Sequence, residues 1–245
     1  MERSIEALLK LCLERGMGRH PFLRLTAELP VDMGVLYDFM SNLNLATSAY
    51  PAWLQTSCAR VPSPKIRSIL FKLLNDEYGS GDPEQIHVNL FDDMLGALRP
   101  WQLPLEAGEA LRPGRELRAR AEAIFNARDP YEGLGVVISG EISAEQHIAW
   151  LGHQLSRQTH LDPNQIAWYT VHARVEPDHA LDSSRLAQLI GEDAGVRASV
   201  WRGAEAAVAS LNVFLDALLE RHYPLQSAAA GRAGSAGVRE GLPQG

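Results

Sequence analysis

The sequence predicts an all-α protein, and three observations carry that expectation. Apolar residues recur at helical spacing through almost the whole chain, no run alternates as a half-buried strand does, and no hairpin turn is present. Taken in order, the periodicity predicts helices over 4–15, 32–43, 48–59, 65–78, 84–98, 115–126, 131–159, 163–187 and 196–222. Pro and Gly punctuate them. Pro30 precedes the second helix, Pro64 opens the fourth, and the run Gly79 to Pro83 separates the fourth from the fifth. Pro100 to Pro113 separates the fifth from the sixth, while Pro130 and Pro163 introduce the next two. No internal repeat is visible. With 245 residues, 46% of them apolar, the chain can bury a substantial core. One helical domain is expected over 1–224. The segment 225–245 is rich in Gly, Ala and Ser with little to bury, and is expected to be a disordered tail.

Charge narrows the partners. A net charge of −7 and a pI near 5.6 argue against a nucleic-acid groove or an anionic membrane surface, since both call for a basic patch. A small neutral or cationic substrate fits better. Cys12 and Cys58 lie far apart, suggesting neither a disulfide framework nor a zinc knuckle. The N-terminus is charged and helix-periodic without a long apolar segment, and no apolar run approaches the ~20 residues of a membrane span. A soluble, cytoplasmic protein is expected.

The chemistry-bearing residues fall on inward stripes. In WYTVHARVEPDH, His172, Glu176 and His179 stand at i, i+4 and i+7, so a helix there places all three on one face. Imidazole nitrogens with a carboxylate suit iron, zinc or manganese. The stripe Ile66, Leu70, Leu73 continues into Glu77, and the stripe Phe91, Met94, Leu98 begins at His87. A further stripe joins Leu134, Ile138, Glu141, Glu145 and Ile148, with Glu141 expected inward and Glu145 a supporting or surface acid. An unpaired inward carboxylate is costly, so four segments each bringing an inward acid or imidazole point to a metal centre. Three Glu with three His make a plausible first set of ligands for two metals. The other histidines, His20, His147, His153, His160 and His222, read as surface or structural residues. Trp150, Trp168 and Trp201 read as core aromatics. Gly133, Gly135 and Gly140 each cost about 1 kcal/mol in a helix relative to Ala, and read either as the floor of a substrate pocket or as close helix packing.

These residues carry a resemblance. HPF at 20–22, LLNDEYGSGDPEQIHVNLF at 73–91 with its E-x9-H element, a glutamate at 141 in a Gly-rich helix, and H-x3-E-x2-H at 172–179 resemble the haem-oxygenase-like di-iron oxidases and oxygenases. The resemblance spans about 20–220. It implies a haem-oxygenase-like helical bundle binding two Fe(2+) per chain and no haem, with Glu77, His87, Glu141, His172, Glu176 and His179 as ligands. It implies O2 as co-substrate and oxidation of an amino acid, fatty acid or related small metabolite, an amino-acid-derived one above all, by N-oxygenation, desaturation or oxidative C–C cleavage. It leaves room for an external electron donor and for a homodimer.

Two departures stand out. Many members have Asp where this chain has Glu176, and Pro177 falls inside the ligand helix, where it removes a backbone hydrogen bond and is expected to kink the helix. A ferritin-like di-iron carboxylate protein is the nearest rival, because Glu84-x-x-His87 and Glu176-x-x-His179 fit its E-x-x-H pattern. Against it, Glu77 and Glu84 lie seven residues apart across a Gly/Pro loop, and His172 is left without a role. Cofactorless haem-oxygenase-like enzymes, of thiaminase or pyrroloquinoline quinone synthase type, are a further alternative. The tail reading is open to test: truncation after Leu225 should leave melting temperature and metal content unchanged, and a marked loss of either would show that the tail docks.

Overall fold

The computed structural model describes residues 4–28, 31–157, 161–190 and 193–224, and the segment 225–245 lies outside them. The described residues form α1 (Ile5–Arg15), α2 (Pro21–Glu28), α3 (Met33–Thr47), α4 (Tyr50–Arg60), α5 (Pro64–Glu77) and α6 (His87–Leu98). They continue with α7 (Ala107–Ala110), α8 (Arg112–Phe125), α9 (Pro130–Leu155), α10 (Ala167–Ile190) and α11 (Ala194–His222). Among them there is no strand, as the sequence predicts. Two helices were not expected. The eight-residue α2 starts from His20, whose Nδ1 accepts the Phe22 amide at 3.2 Å, a capping residue outside the usual Ser, Thr, Asp and Asn set. The four-residue α7 is too short to show a period.

The long helices begin where local chemistry directs. Ser63 and Asp129 cap α5 and α9 with their side chains, and Pro64 and Pro130 occupy the first helical position, where a missing N–H costs nothing. Asp193 caps α11 by accepting from the Gly195 and Val196 amides at 2.7 and 3.1 Å. Pro177 does not interrupt α10, which is assigned as one helix from Ala167 to Ile190. Its missing N–H frees the Ala173 carbonyl, but both residues lie on the solvent face, where water can take that bond. The helix therefore continues through Glu176 and Pro177 without interruption.

The helix α9 lies at the centre, packed along α10 and α11. The crossing with α11 is close enough to exclude side chains. A Cβ on Gly135 would come within 2.2 Å of the Val200 carbonyl oxygen, and one on Gly203 within 1.9 Å of that of Glu132. On the far side Phe39 fixes α3, stacking with Phe22 at 6.0 Å and meeting Trp150 edge-on at 4.9 Å. The buried Asp38 accepts from Arg221 at 2.7 Å and contacts the His222 Nε2 at 2.8 Å, tying the end of α11 to α3. No helix among the described residues is long and apolar enough to cross a membrane.

Two glycine substitutions should act in opposite directions. Gly203→Ala must push the backbones of α9 and α11 apart and should cost about 1–3 kcal/mol in urea unfolding. Gly96→Ala, at an exposed α6 position with nothing near the new methyl, should instead stabilise by up to about 1 kcal/mol. Neutral behaviour of Gly203→Ala would show that the α9–α11 crossing is looser than drawn.

Candidate metal centre

The first two candidate ligands meet through a loop. α5 ends at Glu77, and the next three residues that matter, Gly79, Ser80 and Gly81, all take positive φ, at 80°, 53° and 96°. A Cβ on Gly79 would meet the Gln85 backbone at 2.9 Å, so the reversal depends on glycine there. Ser80, unusual for a non-glycine residue at positive φ, donates its hydroxyl to Asp76 Oδ1 at 2.7 Å. The turn returns the chain so that His87, at the start of α6, lies with its Nδ1 3.4 Å from Glu77 Oε2.

The helix α9 brings Glu141 inward and leaves Glu145 exposed, as the sequence phase predicts. On α10 the triplet His172, Glu176 and His179 is buried along one face. Together these six residues make two compact groups: Glu77, His87 and His172, and Glu141, Glu176 and His179, each offering ligand atoms within 4.8 Å of one another. The two groups adjoin, since the charge of Glu77 in the first acts on both Glu176 and His179 in the second. Glu84, needed by the ferritin-like arrangement, is exposed in the Pro83–Gln85 turn and belongs to neither group.

The donor set fits divalent cations. Glu176 Oε2, His87 Nδ1 and His179 Nε2 are buried without a hydrogen-bond partner, a costly state that ligation would relieve. Burial, reinforced by Glu141, pushes the Glu176 carboxyl well above its ordinary range. Burial, reinforced by His87, holds the His172 imidazole well below its own. Burial would lower His179 too, but the carboxylates of Glu141, Glu176 and Glu77 outweigh it and lift the ring to about 10. In the metal-free protein that imidazolium offsets the neighbouring carboxylates, a role that bound metal ions would take over.

Neighbours fix the ligands. His172 Nδ1 faces the Trp168 carbonyl oxygen at 2.9 Å, so it donates and leaves Nε2 as the lone pair. Asp76 Oδ2 lies 3.5 Å from His179 Nε2, while His179 Nδ1 lies 3.2 Å from Glu141 Oε2. The Tyr50 hydroxyl, at the start of α4, donates to Glu141 Oε1, and burial first, then Glu141, raises the phenol well above 10. Tyr50 escaped sequence reasoning because its helix is unrelated in sequence to the ligand stripes.

A cavity of about 160 Å³ opens beside the two groups, walled by five of the six candidates, with His179 behind them. Most of its lining is apolar, including Leu43, Phe91, Leu117, Val136, Trp168 and Leu211, and among the described residues no lysine or arginine lines it. α9 supplies Gly140, Ser143, Ala144 and His147, a stripe at i, i+3, i+4 and i+7. Of the three glycines considered for the pocket floor, only Gly140 lies there. Gly133 packs on Phe125 and Gly135 on α11. His147, expected to be an ordinary surface or structural histidine, is 7% exposed and lines the cavity. Its place on the stripe Gly140, Ser143, Ala144 was the signal that could have found it.

Comparison with known proteins agrees with this picture. Residues 38–212 match the model of a family described as iron-containing redox enzymes. A domain of unknown function with a haem-oxygenase-like fold from Shewanella denitrificans superposes with a TM-score of 0.65 at 15% identity, over 91% of this chain and 92% of that one. A CADD-like protein of unknown function from Nostoc punctiforme gives 0.70 at 10% identity, over 88% and 95%. A TenA homologue from Pseudomonas syringae pv. tomato gives 0.67 at 10%, over 88% and 91%. At these identities the likeness speaks for the fold, which is haem-oxygenase-like. No curated protein matches the chain.

The two di-iron arrangements disagree about two residues, and iron counts on purified variants separate them. His172→Ala should lose at least half of the bound iron after anaerobic reconstitution, whereas Glu84→Ala should keep all of it. Retention by the first with loss by the second would overturn the grouping described above.

Proposed function

This chain belongs to the iron-containing redox enzyme family, and we propose that it holds two ferrous ions and uses O2 to oxidise a small, largely apolar metabolite. The observation that carries the proposal is the pair of buried Glu/His groups on the inner wall of one apolar cavity, with three ligand atoms left unpartnered. Glu77, His87 and His172 would hold one ion and Glu141, Glu176 and His179 the other. Two ferrous ions, when bound, supply two electrons for reducing O2, the remainder coming from the substrate or an external donor.

The chain's own residues do the rest. The Trp168 carbonyl fixes the His172 tautomer, and Tyr50 holds the Glu141 carboxylate in one orientation. The apolar lining excludes water, which strengthens these interactions and protects reactive species from side reactions. It also bears on the substrate. A carboxylate in the cavity would have only the metal ions to pair with, since no lysine or arginine lines it. An amine or alcohol, amino-acid-derived amines included, meets that environment better than a free amino acid.

A hydrolytic reading through a cysteine nucleophile finds no support. Cys12 and Cys58 are both buried outside the cavity lining, and burial pushes the Cys12 thiol up to about 12, where no useful thiolate forms at neutral pH.

Anaerobic reconstitution should give about two irons per chain, the number a paired Glu/His set calls for. Exposure to O2 should then consume the Fe(II) with a transient visible absorption, which decays faster with a substrate amine. Iron near zero, or tightly held zinc with no iron retained, would sink the oxidase reading.

A further inference from the structure

The cavity has a second polar wall that the metal groups do not use. Ser143 and His147 lie one turn apart on α9, both line the cavity, and they are only 1% and 7% exposed. His147 Nδ1 sits 3.3 Å from the Ser143 carbonyl oxygen, which can only accept, so Nδ1 carries the hydrogen. That leaves a lone pair on Nε2, and Nε2 has no hydrogen-bond partner. The Ser143 hydroxyl has none either. Burial lowers the imidazole to about 4, against the weaker opposing pull of the Ser143 carbonyl and Glu141, so the ring is a neutral acceptor at neutral pH. Neither residue belongs to either ligand group, so metal binding leaves both unsatisfied. Buried polar atoms without partners are rare in folded proteins and call for an explanation.

We infer that His147 and Ser143 form the polar end of the ligand site, where His147 Nε2 accepts a hydrogen bond from the single N–H or O–H group of an otherwise apolar ligand and the Ser143 hydroxyl bonds to the same heteroatom. The ligand class is therefore small amines and alcohols with one hydrophobic body. The inference rests on the oxidase reading for the fate of that ligand, and on the cavity alone for its binding. A dry cavity of about 150 Å³ accepts benzene, so this one, at about 160 Å³, suits a body of that size.

The test uses anaerobic Fe(II)-loaded protein, the fluorescence of Trp53 and Trp168 in the cavity wall, and four probes: benzyl alcohol, benzylamine, ethylbenzene and benzoate. A purely apolar cavity would favour ethylbenzene. The inference requires benzyl alcohol and benzylamine to bind at least tenfold tighter than ethylbenzene. His147→Leu should erase that preference, and Ser143→Ala should reduce it, while both keep the iron content of the parent. Equal binding of alcohol and ethylbenzene, a preference that survives His147→Leu, or no binding by any probe would overturn it. Should His147→Leu lose its helical circular dichroism, the wild type decides. In the zinc-loaded protein the imidazole ¹⁵Nε2 resonance must move with benzyl alcohol and stay put with ethylbenzene, and an unmoved resonance overturns the inference equally. Iron counts on the same samples keep the two readings apart, because a failure to bind iron leaves the probe ranking to stand or fall by itself.

Discussion

Three carboxylates buried within reach of one another, with no lysine or arginine on the cavity wall beside them, are the constraint on which the rest of the structure depends. An isolated buried carboxylate costs several kcal/mol, and each further one beside it raises that cost by repulsion. The metal-free protein has one remedy nearby, a proton on His179, and another in keeping Glu176 neutral. Both hold groups in forms they would not adopt alone. Lys72 lies on an adjoining face of α5, but its ammonium is half exposed and pairs with Asp182 at 2.6 Å. Divalent ions between the two groups would remove the repulsion and satisfy the unpartnered atoms at once. Bound metal would let the carboxylates keep their charge without those adjustments.

Such a site tolerates little movement of the helices that supply it, and the backbone is built accordingly. The Gly79 to Gly81 reversal brings Glu77 and His87 face to face from two different helices without a long connection. The Gly135 and Gly203 contacts bring α9 against α11 backbone to backbone, fixing the helix that carries Glu141, while Tyr50 holds that carboxylate from α4. α10 carries three of the candidate ligands on one continuous helix despite Pro177. Each device costs local freedom or helix propensity, and each acts on the position of a ligand.

The six candidate ligands were legible in the sequence because helix phase is a local property. A polar residue that occupies the next inward place of an apolar stripe is visible in one segment at a time, and the structure buries all six. What was not legible depends on which segments meet. Tyr50 reaches Glu141 from 91 residues away, and nothing in its own neighbourhood announces that contact. Gly133 and Gly135 share a helix with Gly140 but turn to other partners, so composition could not sort pocket glycine from packing glycine. The short α2 and α7 fail for lack of length.

The central helix shows how one segment divides its labour by phase. Gly135 faces α11, Glu141 faces the metal groups, and the stripe from Gly140 through Ser143 and Ala144 to His147 faces the cavity. A Cβ on Gly140 would meet nothing within 4 Å, so its glycine is not forced by packing. It accepts the helix-propensity cost of about 1 kcal/mol and leaves the space beside Glu141 open. The small residues of that stripe give the ligand room, and the imidazole at its end gives it one directional contact. Among the unpartnered atoms of the core, those of the candidate ligands and that of His147 call for different remedies. Glu176 Oε2, His87 Nδ1 and His179 Nε2 belong to residues of the two ligand groups, whereas His147 Nε2 is a neutral acceptor outside either group. Ions held by the two Glu/His groups would leave it unsatisfied. A ligand that donates a hydrogen bond from within the cavity would satisfy it.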